Sequence, residues 1–259
     1  MSRRAVGGAA AACLGLLLAP RDAPGQENYE IQVYAYDTVE PGATMVESHT
    51  NLTLRGHREV SEGVAPTHHA LHETIEVTHG FTPWFELGFY LFTSVQPGSG
   101  WNWVGDHIRP RVRAPESWRW PVGVSLSAEC GYQRRSFATE NWSCELRPIV
   151  DGKWGRFYAA FNPTVERALS GPAQRVELSP NLKVSYDVTR QLTAGLEYYG
   201  ALGPAGHIDA LARQQHQIFP TLDLNVSPRW ELNVGVGFGL THATDGLILK
   251  TIVGRRFGR

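Results

Sequence analysis

A formal net charge of −1 over 259 residues offers no basic surplus for a nucleic-acid partner. Past the N-terminus no apolar run reaches the roughly 20 residues that a spanning helix needs, which excludes an α-helical membrane protein. The informative bias is toward turn and interface residues, with 27 glycines, eight tryptophans and 10% aromatics.

The chain opens with Arg3 and Arg4 ahead of the apolar run Ala5–Leu18, followed by the small residues Ala23, Pro24 and Gly25. This pattern predicts a secretory signal peptide over residues 1–25, with the mature chain starting near Gln26. Cys13, inside the apolar run, is not read as a lipid anchor. The next extended piece, Tyr29–Tyr34, stands apart from the regular pattern downstream of it.

From residue 45 onward apolar and polar residues alternate with period two, the pattern of a β-strand with two unlike faces. Strands are predicted at 45–56, 68–79, 84–95, 104–113, 121–133, 142–150, 155–167, 174–187, 191–202, 214–226, 229–242 and 246–257. The polar face is built of glycines, amides and charged groups, as in Glu231, Asn233, Gly235, Gly237 and Gly239, which suits a wet interior better than a packed core. The fold class is therefore all-β: an antiparallel up-and-down transmembrane β-barrel of about twelve strands with a polar lumen.

Links after His79, Val150, Asp187 and Val226 read as short turns, and those at Gly56–Pro66, Pro97–Trp103, Ser136–Asn141 and Leu202–Gln215 as longer loops. Short turns are expected in the periplasm and long loops outside. Twelve strands then leave both ends of a barrel over 44–259 in the periplasm. Residues 26–43 would break the even count as a strand, so they form an N-terminal periplasmic or lumen-tucked segment. Three stretches restart an apolar stave on a similar template at short turns: Thr82–Gly88, Thr189–Gly195 and Ser227–Asn233. All tryptophans fall at turns or loops, none in mid-strand, as interfacial girdles require. The last strand puts Leu247, Leu249, Val253 and Phe257 on one face, close to the aromatic-ended signal read by outer-membrane assembly machinery, although Gly258 and Arg259 follow.

On the inward face, His107, Arg109, Arg111 and Arg113 lie together on one strand, with Glu86 and Glu129 on its neighbours. Glu145, Arg147, Glu166, Glu197, Asp223, Glu231 and Lys250 also point inward. These side chains form either a structural ion-pair network or a lining that selects a passing solute. Cys130 and Cys144 fall opposite one another on consecutive strands, which predicts a disulfide stapling the intervening loop. The histidines 49, 68, 69, 72, 79 and 107 show no metal-binding spacing. His68 and His72 would stand ~13 Å apart on a strand, and no CxxC or HExxH is present, so no metal or other cofactor is expected. No catalytic residue is assigned: GxSxG is absent, and pairing Ser94 or Ser127 with a histidine follows from no motif.

The stretches Tyr29–Tyr34, Thr44–Leu54 and His72–Thr93 resemble bacterial outer-membrane proteins grouped as the MetA-pathway-of-phenol-degradation, or putative transporter, type. The resemblance implies uptake of hydrophobic or aromatic compounds across the outer membrane. The expected function is a channel or facilitated-diffusion transporter for small solutes, embedded in outer-membrane lipids. The alternatives are a non-conducting, partner-binding barrel and, further off, a lipid-modifying enzyme.

Overall fold

The computed structural model describes residues 28–171 and 174–258; the expected signal peptide lies outside them. Twelve antiparallel strands close into one barrel, each paired with its sequence neighbours and the last with the first. They are β1 (Thr44–Arg55), β2 (Leu71–Thr82), β3 (Phe85–Gln96), β4 (Gly100–Arg113), β5 (Gly123–Gln133) and β6 (Trp142–Trp154), then β7 (Phe157–Ala168), β8 (Val176–Asp187), β9 (Leu192–Ala201), β10 (Gln215–Leu224), β11 (Trp230–Gly239) and β12 (Leu247–Phe257). Closure satisfies every strand edge, which a lipid environment requires because it offers no water to unpaired backbone groups.

Burial alternates as the period-two pattern demands. In β5, Ser125, Ser127, Glu129, Gly131 and Gln133 are buried toward the lumen, whereas Leu126 faces outward and exposed. In β11, Val234, Val236 and Phe238 are exposed while Asn233, Gly235 and Gly237 are buried. This inversion, with apolar outside and polar inside, identifies the outer surface as the membrane face. All eight tryptophans are exposed. Trp84, Trp118, Trp120, Trp154 and Trp230 ring the end that carries Thr44 and Phe257, and Trp101, Trp103 and Trp142 ring the other. Placing a cation between these girdles, as in Val234→Arg, is expected to destabilise the barrel by about 2–4 kcal/mol, whereas arginine at Trp230 costs about 0–1 kcal/mol. Urea titration of the folded species in detergent measures both.

The rule of short turns at one end and long loops at the other holds only in part. The β3–β4 connection, expected to be a long loop, is the three-residue link 97–99, and the two strands pair right up to it, Gln96 with Gly100, with one register shift beside Phe92. Conversely, the link 114–122 at the opposite end is long and holds a single 3-10 turn, Glu116–Trp118. Two glycine-marked turns are displaced. Asp151-Gly152-Lys153 lies within β6, and the chain reverses at Gly155 (φ +63°) and Arg156. Gly80 lies within β2, where a Cβ would stand 2.2 Å from the Val39 carbonyl oxygen. There glycine serves a close backbone approach, not a reversal.

Candidate functional site

The lumen is occupied by residues 28–43. Pro41 bridges Gly80 beside the short-turn end. The segment then threads back through the barrel until Asn28 meets Asp245, in the loop before β12 at the far end. It is extended and forms no ladder, so its backbone polar groups need other partners. Side chains from around the wall supply them. Asn162 of β7 clasps Tyr34, accepting from its N–H at 2.8 Å and donating to its carbonyl at 3.1 Å. Asn51 donates to the Asn28 carbonyl (2.9 Å) and Thr74 to that of Tyr29 (2.7 Å). Lys250 donates to the Ile31 carbonyl (3.0 Å), and Asp151 and Glu86 accept from the N–H groups of Tyr36 (3.0 Å) and Val39 (2.6 Å).

Apolar packing completes the seat. Ile31 and Val33 sit against Ala160, Tyr199, Phe219 and Ile248, and Tyr29 against Tyr90, Phe92 and Val104. Burying each such aliphatic side chain contributes about 1.5–3 kcal/mol.

The inward charges gather around this segment. Arg109, 2% exposed, donates to Glu76 at 2.5 Å, to Glu86 at 3.1 Å and to the Tyr90 hydroxyl at 2.5 Å. Arg111 pairs with the same Glu86 at 2.7 Å and donates to the carbonyls of Ala35 (3.1 Å) and Asp37 (2.5 Å). Arg113 sits at the rim, with Asp37 at 3.0 Å and Glu116 at 3.2 Å. Glu129 takes His107 at 2.7 Å and no arginine of β4. Arg147 pairs with Glu145 at 2.7 Å and stands 3.6 Å from Glu30 of the segment. Across the lumen, Glu197 holds Lys250 and, at 3.2 Å, Lys183, which also reaches Asp223 at 2.9 Å. Glu231 lines a cavity near the short-turn end. Cys130 and Cys144 are disulfide-bonded, tying β5 to β6 below the 134–141 loop.

Tyr34 is the centre of this arrangement. Its ring has the guanidinium carbons of Arg147, Arg109 and Arg111 at 4.7, 4.9 and 5.6 Å from its centroid. Its hydroxyl donates to Glu30 and lies 2.9 Å from that of Tyr90. A phenol ring is thus held by cation–π attraction on its faces and hydrogen bonds at its tip. Cavities flank the segment. One of about 500 Å³ lies toward the short-turn end, lined by residues that include Arg109, Arg111, Lys183, Asp223 and Glu231. A smaller one of about 70 Å³ lies beyond Glu30, between His107, Glu129, Arg147 and Asn181.

Sequence reasoning collected the wall residues but missed Glu30, Tyr34, Asn162 and Glu76. The alternation His72, Thr74, Glu76, Thr78 was the available signal for Glu76. Nothing local marks Tyr34 as a lumen ligand.

Fold and lumen together define a transmembrane β-barrel with a polar, occupied interior. No family model and no curated protein matches the chain. Among solved structures it is similar to an outer membrane channel from Pseudomonas putida F1, with TM-score 0.62 and 12% identity over 88% of this chain and 100% of that one. It is also similar to the KdgM porin (TM-score 0.54, 10% identity, 83% of this chain and 99% of that one) and the NanC porin (0.53, 10%, 83% and 100%). At such identities the likeness is one of architecture.

Proposed function

We propose that this protein is an outer-membrane channel or facilitated-diffusion transporter for small solutes, held closed by its own residues 28–43. The short-turn end faces the periplasm on this reading, and outer-membrane lipids surround the apolar wall. The observation that carries the proposal is the nature of the lumen. The wall residues that hydrogen-bond the segment are charged and polar groups able to hydrate when it moves, and a cavity of about 500 Å³ already opens beneath it. Channels and porins among the structurally similar proteins support the same reading.

For the solute class, the seat of Tyr34 is the guide. It already accommodates a phenol, so small aromatic solutes fit it, in keeping with the resemblance to MetA-pathway-type proteins. A non-conducting barrel is the competing reading, favoured by how completely the segment is bonded. Planar-bilayer recording with purified protein decides between them. Discrete conductance steps, together with flux of phenol into proteoliposomes that exceeds flux of a sugar of similar size, are expected. A silent bilayer with both the native protein and Tyr34→Ala would leave the structural reading standing.

A further inference from the structure

Next to the segment, on the wall, is a group of side chains that the ion-pair network accounts for only in part, through one oxygen of Glu76. Glu47 of β1 and Glu76 of β2 stand directly opposite one another in register. His49, two residues further along β1, points to the same side. All three are buried, at 7%, 1% and 0% exposure. Opposed carboxylates on neighbouring strands repel, and burial magnifies the cost unless a cation lies between them. Arg109 does not fill that role for the pair. Its guanidinium engages the other oxygen of Glu76, Oε1, which also accepts from Thr78 at 2.6 Å.

The remaining polar atoms lie close to one another. Glu47 Oε1, Glu76 Oε2 and both ring nitrogens of His49 have no hydrogen-bond partner among the described residues. One ligand atom from each residue lies within 4.8 Å of the others. His49 Nε2 is 3.5 Å from Glu76 Oε2. That separation is long for a hydrogen bond, but it is about the edge of a tetrahedron whose vertices lie ~2.1 Å from a central ion.

We infer that Glu47, His49 and Glu76 form a divalent metal site in the barrel wall. One imidazole nitrogen and two carboxylate oxygens, with no thiolate, suit a borderline first-row cation of the Zn²⁺ or Co²⁺ kind. A dication between the two glutamates removes their repulsion and gives His49 a partner. Two of the ligands are on β1 and the third on β2, so the barrel ladder fixes their spacing before the ion arrives. Glu47 and Glu76 also line the 500 Å³ cavity, which provides an entry path and room for a water as fourth ligand.

The test uses the full-length mature protein without a histidine tag, folded in detergent and stripped with a chelator. Titration with Zn²⁺ followed by desalting is expected to leave one equivalent per barrel, and Co²⁺ is expected to give visible d–d absorption that Zn²⁺ abolishes. Glu47→Gln, nearly isosteric and free of the like-charge cost, should bind at least about tenfold more weakly. His49→Ala should do the same. His72→Ala, a buried histidine outside the cluster, should keep full stoichiometry. Folding of each variant is followed by heat-modifiable gel mobility, and if His49→Ala fails to fold the Glu47→Gln result decides. Less than a tenth of an equivalent of Zn²⁺ in the native protein, or undiminished binding in Glu47→Gln, overturns the site.

Discussion

Removing residues 28–38 is expected to turn a mostly closed barrel into a persistently open one. Populations set the size of the effect. A closed state favoured by a few kcal/mol leaves the open state at about 0.1–10%. Deleting what favours closure therefore raises the time-averaged conductance by about tenfold or more. The barrel should survive the deletion, because its twelve strand pairings do not involve the segment. Wall groups that lose a partner, Asn51, Asn162, Arg111 and Lys250, would face water in the emptied lumen instead of being buried unsatisfied. Tyr34→Ala should produce a smaller effect in the same direction, since it removes the ring held by three guanidinium groups and leaves the backbone hydrogen bonds in place. Single-channel recording of the deletion variant gives the answer, and unchanged current at equal protein insertion would show that the segment does not limit passage.

The second large effect belongs to Arg109. Replacing it with methionine keeps much of the volume but strips Glu76 of its arginine and leaves Glu86 with Arg111 and the Val39 N–H. Losing one partner of a buried pair costs about 3–5 kcal/mol, most of it the penalty of a carboxylate left without compensation. Arg109→Met should therefore fold poorly and unfold at markedly lower urea. Adding Glu76→Gln removes the orphaned charge and should recover most of the loss. The two changes are strongly non-additive on this account, as a double-mutant cycle would show. Simple additivity would mean that the pair contributes through packing alone.

The barrel was legible because a spanning strand imposes period two over its whole length, and the girdle tryptophans are distributed by chemistry that needs no tertiary information. Strand register was legible where turns were tight. Cys130 falls opposite Cys144 as their spacing about residue 137 implied. Register was lost where a glycine had two possible meanings. At Gly80 and Gly152 the residue reads as a turn, yet it serves a close approach in one strand and continues the ladder in the other. The shift at β2 concealed that Glu47 faces Glu76, so the grouping of Glu47, His49 and Glu76 could not be read from spacing. The lumen segment illustrates a different limit. Its contacts link Tyr34 to Asn162 and Ile31 to Lys250, separations that leave no local trace, and its alternation is that of any extended chain.

The bridge between Pro41 and Gly80, followed by Gly42 at φ +79°, fixes where the segment is hung. Everything from Tyr36 inward is held by side chains, whereas this end is joined to the wall by backbone and continues directly into β1. The attachment gives the barrel a doorframe, with the hinge on the periplasmic rim under the proposed orientation. A valve mounted this way answers differently from its two sides. A periplasmic partner or a pull on that rim could peel the segment away one contact at a time, starting with Val39 and Arg111. A solute arriving from outside instead meets Asn28 and Tyr29 first, ahead of Ile31 and the Tyr34 seat. On the proposed function and orientation, rectification is the expected consequence, with opening favoured from the periplasmic side.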